Sequence, residues 1–211
     1  MSKNTQSIEF YQTLAENIDD AQVIKFSNDN THYDIDFIRK FSDKKESLLD
    51  LGSGTGLIVN DLTDDFKDIT AVELFKEFSN YINGDNISIC NENLIDFLLN
   101  GSFGMVTMFG TAHYFDEKES LKIYQNVFSM LKNNGIFILK NQFGIKKTKT
   151  VTSSKDLGDK YFAQYRFLYH EIERLKNIGF KDVLVHDIYP SEANRWSDTH
   201  FYALVCKKNK A

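Results

Sequence analysis

The sequence predicts an α/β protein in which a parallel sheet is covered by helices on both faces. Three observations lead to this class. Strand signals alternate with helix signals along most of the 211 residues, which is typical of parallel strands joined by helices. The strand signal SLLDL (Ser47–Leu51) is an apolar run, as expected of a buried strand. A glycine-rich turn, Gly52–Gly56, then leads from this strand into a helix signal.

The N-terminal part of the chain predicts two helices before this first strand. Apolar side chains recur at helical spacing within Ser7–Ile18, and a second, shorter helix fits Tyr33–Phe41. The remaining strands are predicted at Asp68–Glu73, Asn86–Cys90, Phe103–Phe109, Ile136–Lys140, Phe180–Ile188 and His200–Lys207. The remaining helices are predicted at Leu57–Leu62, up to Tyr81, at Leu94–Leu99, at Glu117–Leu131 and over most of Tyr161–Ile178.

Three connections complete this pattern. Asn133–Gly135 predicts a turn, and Gly179 is typical of a helix C-cap. Tyr189–Thr199 is a polar loop that carries the single proline.

The composition limits the classes of function. The length and the 42% hydrophobic content suit one compact domain, and the net charge of −5 argues against a general nucleic-acid binder. The N-terminus has no apolar core of signal-peptide length, and no apolar run is long enough to span a bilayer. Cys90 and Cys206 lack the spacing of a disulfide framework or a metal site. We therefore expect a cytoplasmic protein with neither nucleic acid nor a membrane as partner.

The turn after the first strand carries most of the functional signal. Asp50 lies near the end of the strand, and Gly52, Gly54 and Gly56 then turn the chain into a helix. Glycine lets a ligand approach the backbone, and a helix N-terminus offers unpaired N–H groups. Glu73 ends the next strand, where a carboxylate can accept both hydroxyls of a ribose. An ordinary strand–helix turn is the alternative, but the two features together favour a nucleoside-type cofactor.

The segments DLGSGTG and AVELF resemble the class I S-adenosylmethionine (SAM)-dependent methyltransferases. That family has an acidic residue, then G-x-G-x-G, then an acidic residue ending the second strand. The resemblance runs from Ser47 to the C-terminus. It implies a Rossmann-like, seven-stranded sheet with helices on both faces and an antiparallel last strand, and it implies SAM as cofactor. It also implies a single methyltransferase domain, 1–211, with an N-terminal helical lid (1–46) over a SAM-binding core (47–211).

The resemblance assigns residues to the cofactor. It implies that Asp50 orients the glycine loop, that Gly52 and Gly54 approach the methionyl part, and that Glu73 binds the ribose. Tyr11 is a candidate from the lid, with a core position in an amphipathic helix as its alternative. The expected cofactor set is Tyr11, Asp50, Gly52, Ser53, Gly54, Glu73, Leu74, Glu92, Asn93 and Phe109.

Several related classes lack their motifs here. A dinucleotide-binding dehydrogenase would have G-x-G-x-x-G, whereas Leu57 holds the position of its third glycine. Thr107–Gly110 is not the Asn/Asp-Pro-Pro-aromatic motif of amino-group methyltransferases acting on nucleobases or glutamine amides, and no Pro-Cys nucleophile is present. Leu139–Gln142 supplies no carboxylate for a metal-dependent catechol-type enzyme. The remaining prediction is methylation of an O or N atom of a small molecule, without a metal.

The acceptor side is predicted from aromatic and basic residues near the ends of the later strands. His113 is a candidate general base, and its alternative is structural packing beneath the cofactor. Arg166 faces either the pocket or solvent. Arg195 and Trp196 suggest a pocket wall, or else a plug at the core edge beside a surface ion pair. The candidate substrate set is Tyr33, Tyr114, Arg166, Arg195 and Trp196.

The charge is distributed unevenly along the chain. Residues 1–145 hold 12 basic and 22 acidic residues, a net charge of −10, whereas residues 146–211 hold 13 and 8, a net charge of +5. This asymmetry favours an acceptor with a phosphate or carboxylate, bound by Arg195 and by Arg166 or the lysine run 146–149. Two alternatives remain: a non-catalytic SAM-binding subunit and a methyltransferase acting on RNA or protein. The sequence leaves open whether the chain is a monomer or a homodimer.

Overall fold

Within the residues that the structure describes, the fold has nine strands and five α-helices. The computed structural model describes residues 4–19, 30–153, 162–194 and 196–209. The strands are β1 Ser47–Leu51, β2 Asp68–Val72, β3 Ile87–Cys90, β4 Phe103–Phe109, β5 Leu131–Gly144, β6 Lys149–Val151, β7 Ala163–Tyr165, β8 Asp182–His186 and β9 Thr199–Lys207. The helices are α1 Asn4–Glu16, α2 Thr31–Arg39, α3 Lys76–Ser79, α4 Glu117–Met130 and α5 Leu168–Ile178.

Seven of the strands form one sheet in the order β3-β2-β1-β4-β5-β9-β8. Strands β1 to β5 run parallel, and β9 runs antiparallel to both β5 and β8. β6 and β7 form a separate antiparallel pair. The seven-stranded α/β fold with an antiparallel last strand confirms the predicted class. Within the described ranges, no helix is long and apolar enough to cross a membrane.

Alternate residues of the central strands pack on opposite faces of the sheet. Leu48, Met105 and Ile138 join one core cluster, together with α2 and a 3₁₀ turn at Val59–Leu62. Their sequence neighbours, such as Leu49, join a second cluster with α4 and α5. The period of two therefore explains why these strands are mostly apolar on both sides: each face of the sheet meets a helical layer.

Strand β5 extends beyond the region predicted for it. Its far half, from Lys140 to Gly144, pairs with the first half of β9, from Ala203 back to Thr199. Phe109, the last residue of β4, pairs with Lys140. The end of β4 therefore lies beside Lys140 in the middle of β5, which brings Phe109 and Lys140 together at the carboxyl end of β4.

The segment between β4 and α4 is fixed by the start of that helix. The side chain of Asp116 accepts a hydrogen bond from the Glu119 N–H, and the Glu119 side chain accepts one from the Asp116 N–H, each at 2.9 Å. This capping box satisfies two backbone donors at the helix N-terminus. A 3₁₀ turn at Ala112–Tyr114 precedes it.

Several predicted helices are wrong or shorter than expected. Tyr161 lies outside the described residues, Ala163–Tyr165 is a strand paired with β6, and the helix begins only at Leu168. Leu94–Leu99 forms no helix: residues 94–96 make a single turn, in which the Asn93 side chain accepts the Ile95 N–H at 3.0 Å, and residues 97–99 are irregular.

Smaller differences concern three other segments. Leu57–Leu62 contains only a 3₁₀ turn, and the helix before Tyr81 is four residues long. The turn at Asn133–Gly135 lies inside β5, where Asn134 has a φ of 65° at an irregularity in the pairing with β4.

Candidate active site

Two adjoining cavities open at the carboxyl ends of β1 and β4. Their volumes are about 250 and 310 Å³, and both are lined by Tyr11, Gly52, Gly54, Phe78, Phe109 and Gly110. β1 lies between β2 and β4, so the strand order changes direction there. Ligands of open α/β sheets bind at this kind of crossover, because the loops on its two sides diverge and leave a crevice.

The glycine loop forms the floor shared by both cavities. Gly52, Gly54 and Gly56 have φ values of 82°, 56° and 81°, which favour glycine. The N–H groups of Gly52 and Ser53 both donate to the Val72 carbonyl, at 2.8 and 3.0 Å, and tie the loop to β2. A Cβ on Gly52 would lie 2.4 Å from Thr111 Oγ1. The loop therefore requires glycine at position 52 for two reasons: its conformation and its close packing.

We expect Gly52→Ala to reduce the free energy of unfolding by about 1–3 kcal/mol more than Gly54→Ala. Both variants place a side chain at positive φ, but a Cβ on Gly54 would meet nothing within 4 Å. Urea unfolding of the ligand-free proteins measures the difference. Equal losses of stability for the two variants would show that packing against Thr111 does not matter.

Asp50 lies beneath the loop and lines neither cavity. Its carboxylate is buried and accepts a hydrogen bond from Thr107 Oγ1 at 2.6 Å, which joins β1 to β4. Burial raises the pKa of Asp50, and the Thr107 hydrogen bond opposes that shift.

Glu73 bridges the glycine loop and the end of β2. Its Oε2 accepts the Gly54 N–H at 2.9 Å, and its Oε1 accepts the Phe75 N–H at 3.0 Å. The side chain lines the first cavity although the residue is only 8% exposed. Burial raises the pKa of Glu73 despite these two hydrogen bonds, and the nearby Asp50 adds to the shift. A carboxylate held on backbone donors in this way is well placed to accept hydrogen bonds from ligand hydroxyls.

Most of the predicted cofactor residues converge on the two cavities. The first cavity is lined by Tyr11, Gly52, Gly54, Glu73, Leu74, Asn93 and Phe109, and Ser53 lines the second. Glu92 is exposed and lines neither cavity. Sequence reasoning missed Phe75 and Phe78, which supply apolar wall to the first cavity. The sequence signal for them is their position two and five residues after Glu73.

The predicted acceptor residues are spread more widely. Tyr114 lines the first cavity, and its hydroxyl is hydrogen-bonded to that of Tyr11. Tyr33 is exposed, with its ring 6.1 Å from that of Tyr189. His113 lines neither cavity, because its Nδ1 lies 2.8 Å from Asn141 Oδ1 and its ring stacks on Tyr165.

Arg166 was wrongly predicted to contact substrate. The side chain is 2% exposed, and its Nε donates to Glu171 Oε1 at 2.7 Å. Its terminal nitrogens donate to the carbonyls of Ala112 and Phe115 and to the Tyr124 hydroxyl, at 2.9–3.1 Å. These contacts fix the segment before α4 from behind the site. They leave Arg166 outside both cavities.

The sequence also predicts that the loop between β8 and β9 forms a wall of the acceptor pocket. Arg195 lies outside the described residues. Trp196 lines neither cavity and packs on Tyr165, with ring centroids 5.3 Å apart. Lys149 Nζ lies 4.7 Å from the Trp196 ring centroid and 2.8 Å from Asp198 Oδ1. This part of the lysine run therefore joins the β6–β7 hairpin to the loop.

A cluster at the second cavity was missing from the sequence prediction. Lys140 Nζ lies 2.8 Å from Asp34 Oδ2 and donates to the Tyr189 hydroxyl at 2.6 Å. Lys140 and Asp34 line the cavity. The available signals were a lysine ending an apolar strand and an acidic residue on the apolar face of a short helix.

Comparisons with known proteins agree with this geometry. Residues 49–139 match the family model described as a methyltransferase domain. A curated relative, carboxy-S-adenosyl-L-methionine synthase from Nautilia profundicola, is 22% identical over 210 residues, covering 85% of this chain and 89% of that protein.

Two solved structures have similar folds. DhpI in complex with S-adenosylhomocysteine (SAH) has a TM-score of 0.76 and 16% identity, covering all of this chain and 98% of the other. The 1,6-didemethyltoxoflavin-N1-methyltransferase of Burkholderia thailandensis, with 1,6-didemethyltoxoflavin and SAH bound, has a TM-score of 0.70 and 13% identity. The match covers 88% of this chain and 81% of that one.

The matched residues include the glycine loop, Glu73 and Phe109, which surround the first cavity. The tight floor at Gly52, the Glu73 carboxylate and the apolar walls fit SAM as cofactor. Residues 49–139 are therefore similar to a methyltransferase domain, and the chain shares the fold of the two solved structures that bind SAH.

Proposed function

We propose that this protein is a SAM-dependent methyltransferase that acts on an oxygen or nitrogen atom of a small metabolite that carries a phosphate or carboxylate. The observation that supports the proposal is the pair of small cavities meeting at Gly52, Gly54, Phe109 and Gly110. SAM supplies an activated methyl group when it is bound. An acceptor in the second cavity would then lie next to the cofactor, and positioning would provide much of the rate enhancement.

The proposal gives the first cavity to the adenosine part of the cofactor. Glu73 would accept hydrogen bonds from the ribose, and Phe75 and Phe78 would contact its apolar surface. Helix α1 packs on these two aromatic residues, and Tyr11 from α1 lines both cavities. These contacts support a role for residues 1–46 as a lid that covers the cofactor and excludes water.

The anionic acceptor is supported by a lysine instead of the expected Arg166. Lys140 is the one basic side chain among the described residues that line either cavity. The closest alternative on the acceptor side, the 146–149 run, has Lys146 and Lys147 exposed.

Two measurements test the proposed function. Isothermal titration is expected to show binding of SAM and SAH and no binding of NAD. Methyl transfer is then measured against matched acceptors that differ only in an acidic group, such as a carboxylate and its amide. Turnover of the acidic member, with a KM at least ten-fold lower than that of its neutral partner, is the expected result. Equal KM values would exclude the anionic acceptor, and absence of SAM binding would exclude the whole proposal.

The raised pKa of Glu73 predicts opposite pH trends for cofactor binding and stability. Ionised Glu73 accepts hydrogen bonds better, so SAH affinity is expected to rise with pH through the folded-state pKa. Burial disfavours ionisation, so the free energy of unfolding without ligand is expected to fall as pH rises from the ordinary value of 4.5 through that raised pKa. Titration calorimetry and urea unfolding across this window measure the two trends. Glu73→Gln is the control variant. The pH dependence of SAH affinity and the pH dependence of the free energy of unfolding are both expected to be weaker in it.

A second candidate is a reaction of SAM that does not produce a methylated acceptor. The observation that favours it is the curated relative, which is named as a synthase of carboxy-S-adenosyl-L-methionine. Mass spectrometry of the products distinguishes the candidates. Methyl transfer yields SAH and an acceptor heavier by one methylene, whereas modification of the cofactor yields a heavier SAM derivative. If SAM binds but is not consumed with any acceptor, the protein is a non-catalytic SAM-binding subunit.

A further inference from the structure

Three parts of the fold converge at the far wall of the second cavity. Asp34 comes from α2, Lys140 from β5, and Tyr189 from the segment between β8 and β9. The Tyr189 hydroxyl accepts from Lys140 Nζ at 2.6 Å and lies 2.9 and 2.8 Å from the two carboxylate oxygens of Asp34. The side chains of Lys140 and Asp34 are 9% and 6% exposed. This cluster is therefore a buried, charged part of the cavity wall.

Lys140 has one more N–H group than this cluster uses. An ammonium carries three donors; Lys140 donates one hydrogen bond to Tyr189 and forms an ion pair with Asp34. Within the described part of the chain, its third N–H has no hydrogen-bonding partner. Since Lys140 lines the cavity, a ligand there can accept that hydrogen bond.

The surroundings of the ammonium strengthen such a contact. The ring centroids of Phe109, Tyr189 and Phe201 lie 5.5, 4.8 and 5.8 Å from Lys140 Nζ. These rings hold the cation and limit the access of water to it. An ion pair that is poorly screened by water is stronger than one at the surface.

We propose that Lys140 Nζ binds an anionic oxygen, from a carboxylate or phosphate, on a ligand in the second cavity. Asp34 and Tyr189 are positioning residues that hold the ammonium against the wall. This inference rests on the proposed function and names the residue that recognises the negative charge. The oxygen belongs either to the methionyl carboxylate of the cofactor or to the acidic group of the acceptor, and both sources present the same chemistry to Lys140.

Lys140→Met tests the inference with ligands that need no knowledge of the acceptor. SAH carries the methionyl carboxylate, whereas 5′-methylthioadenosine lacks it. If the cofactor supplies the anion, the variant weakens SAH about 10- to 100-fold and leaves 5′-methylthioadenosine unchanged. If the acceptor supplies it, both affinities stay the same, and the variant loses binding of inorganic phosphate or acetate to the SAH-loaded protein. Lys146→Met, at an exposed lysine after the same strand, is the matched control.

Asp34→Asn distinguishes anion binding from a merely structural ion pair. The amide still accepts a hydrogen bond from Lys140, but the competing negative charge is gone, so anion affinity is expected to rise several-fold. A structural pair predicts weaker binding for both the Asp34 and the Lys140 variants. Lys140→Arg keeps the charge and is expected to retain part of the anion affinity.

The double variant Asp34→Asn/Lys140→Met guards against a folding defect, since it leaves no buried charge without a partner. It is expected to fold and to bind anions as weakly as the single Lys140 variant. Unchanged binding of SAH, phosphate and acetate in the Lys140 and double variants would overturn this inference while leaving the proposed function intact. Failure of the wild-type protein to bind SAH would instead overturn the proposed function.

Discussion

Replacing Glu73 with alanine is expected to weaken SAH binding by about 100-fold or more. The carboxylate accepts the Gly54 and Phe75 N–H groups and lines the first cavity. Its removal takes away both the acceptor proposed for the ribose hydroxyls and the bridge that holds the glycine loop against β2. Isothermal titration with SAH measures the loss, and urea unfolding measures the accompanying change in stability.

The controls separate these two effects of Glu73. Glu77→Ala removes an exposed carboxylate four residues further along the chain, and wild-type affinity is expected there. Glu73→Gln retains a hydrogen-bonding side chain of the same length and is expected to bind SAH with intermediate affinity. An alanine variant that keeps wild-type affinity would exclude Glu73 as a cofactor ligand.

Arg166→Met is expected to reduce the free energy of unfolding by about 3–5 kcal/mol. Arg166 and Glu171 are fully buried, and the substitution leaves the Glu171 carboxylate without one of its cationic partners. It also removes the donors to the carbonyls of Ala112 and Phe115. Arg174 still pairs with Glu171 Oε2 at 2.7 Å, which places the loss towards the lower end of this range.

Two further variants show whether the loss comes from the buried charge. Arg166→Met combined with Glu171→Gln is expected to be less destabilised than the sum of the single variants, because no unpaired charge remains. Lys176 forms an exposed ion pair on α5, the helix that carries Glu171. Lys176→Met is expected to change the free energy of unfolding by less than about 0.5 kcal/mol. A stable Arg166→Met protein with a raised KM for an anionic acceptor would contradict the structural role.

The sequence was most informative where neighbouring residues act together. β1 and β4 have the predicted bounds, because their burial on both faces makes both segments mostly apolar. The glycine loop and Glu73 were recognisable because a cofactor is contacted by residues next to the ends of two adjacent strands. Their chemistry can therefore be seen within short segments.

The residues around Lys140, and the role of Arg166, could not be predicted from short segments of sequence. Asp34 and Tyr189 are 155 positions apart. The pairing of β5 with β9 places Tyr189 near Lys140, whereas Asp34 arrives there because α2 packs on the sheet. The sequence predicts Arg166 on a helix, facing the pocket or solvent, whereas it follows β7 and points into a buried network before α5 begins. A single sequence does not show these contacts, because each depends on elements distant in the chain.

The position of β9 also determines the order in which the sheet can be completed. β8 pairs with β9 among the described strands, and β9 lies between β8 and β5. During synthesis β8 therefore emerges before its partner, while the long edge of β5 is still open. An uncovered strand edge is a template for pairing with other chains. Chains stalled before Thr199 are consequently expected to aggregate more readily than the finished chain, and the arrival of β9 pairs the open edge of β5 and one edge of β8 together.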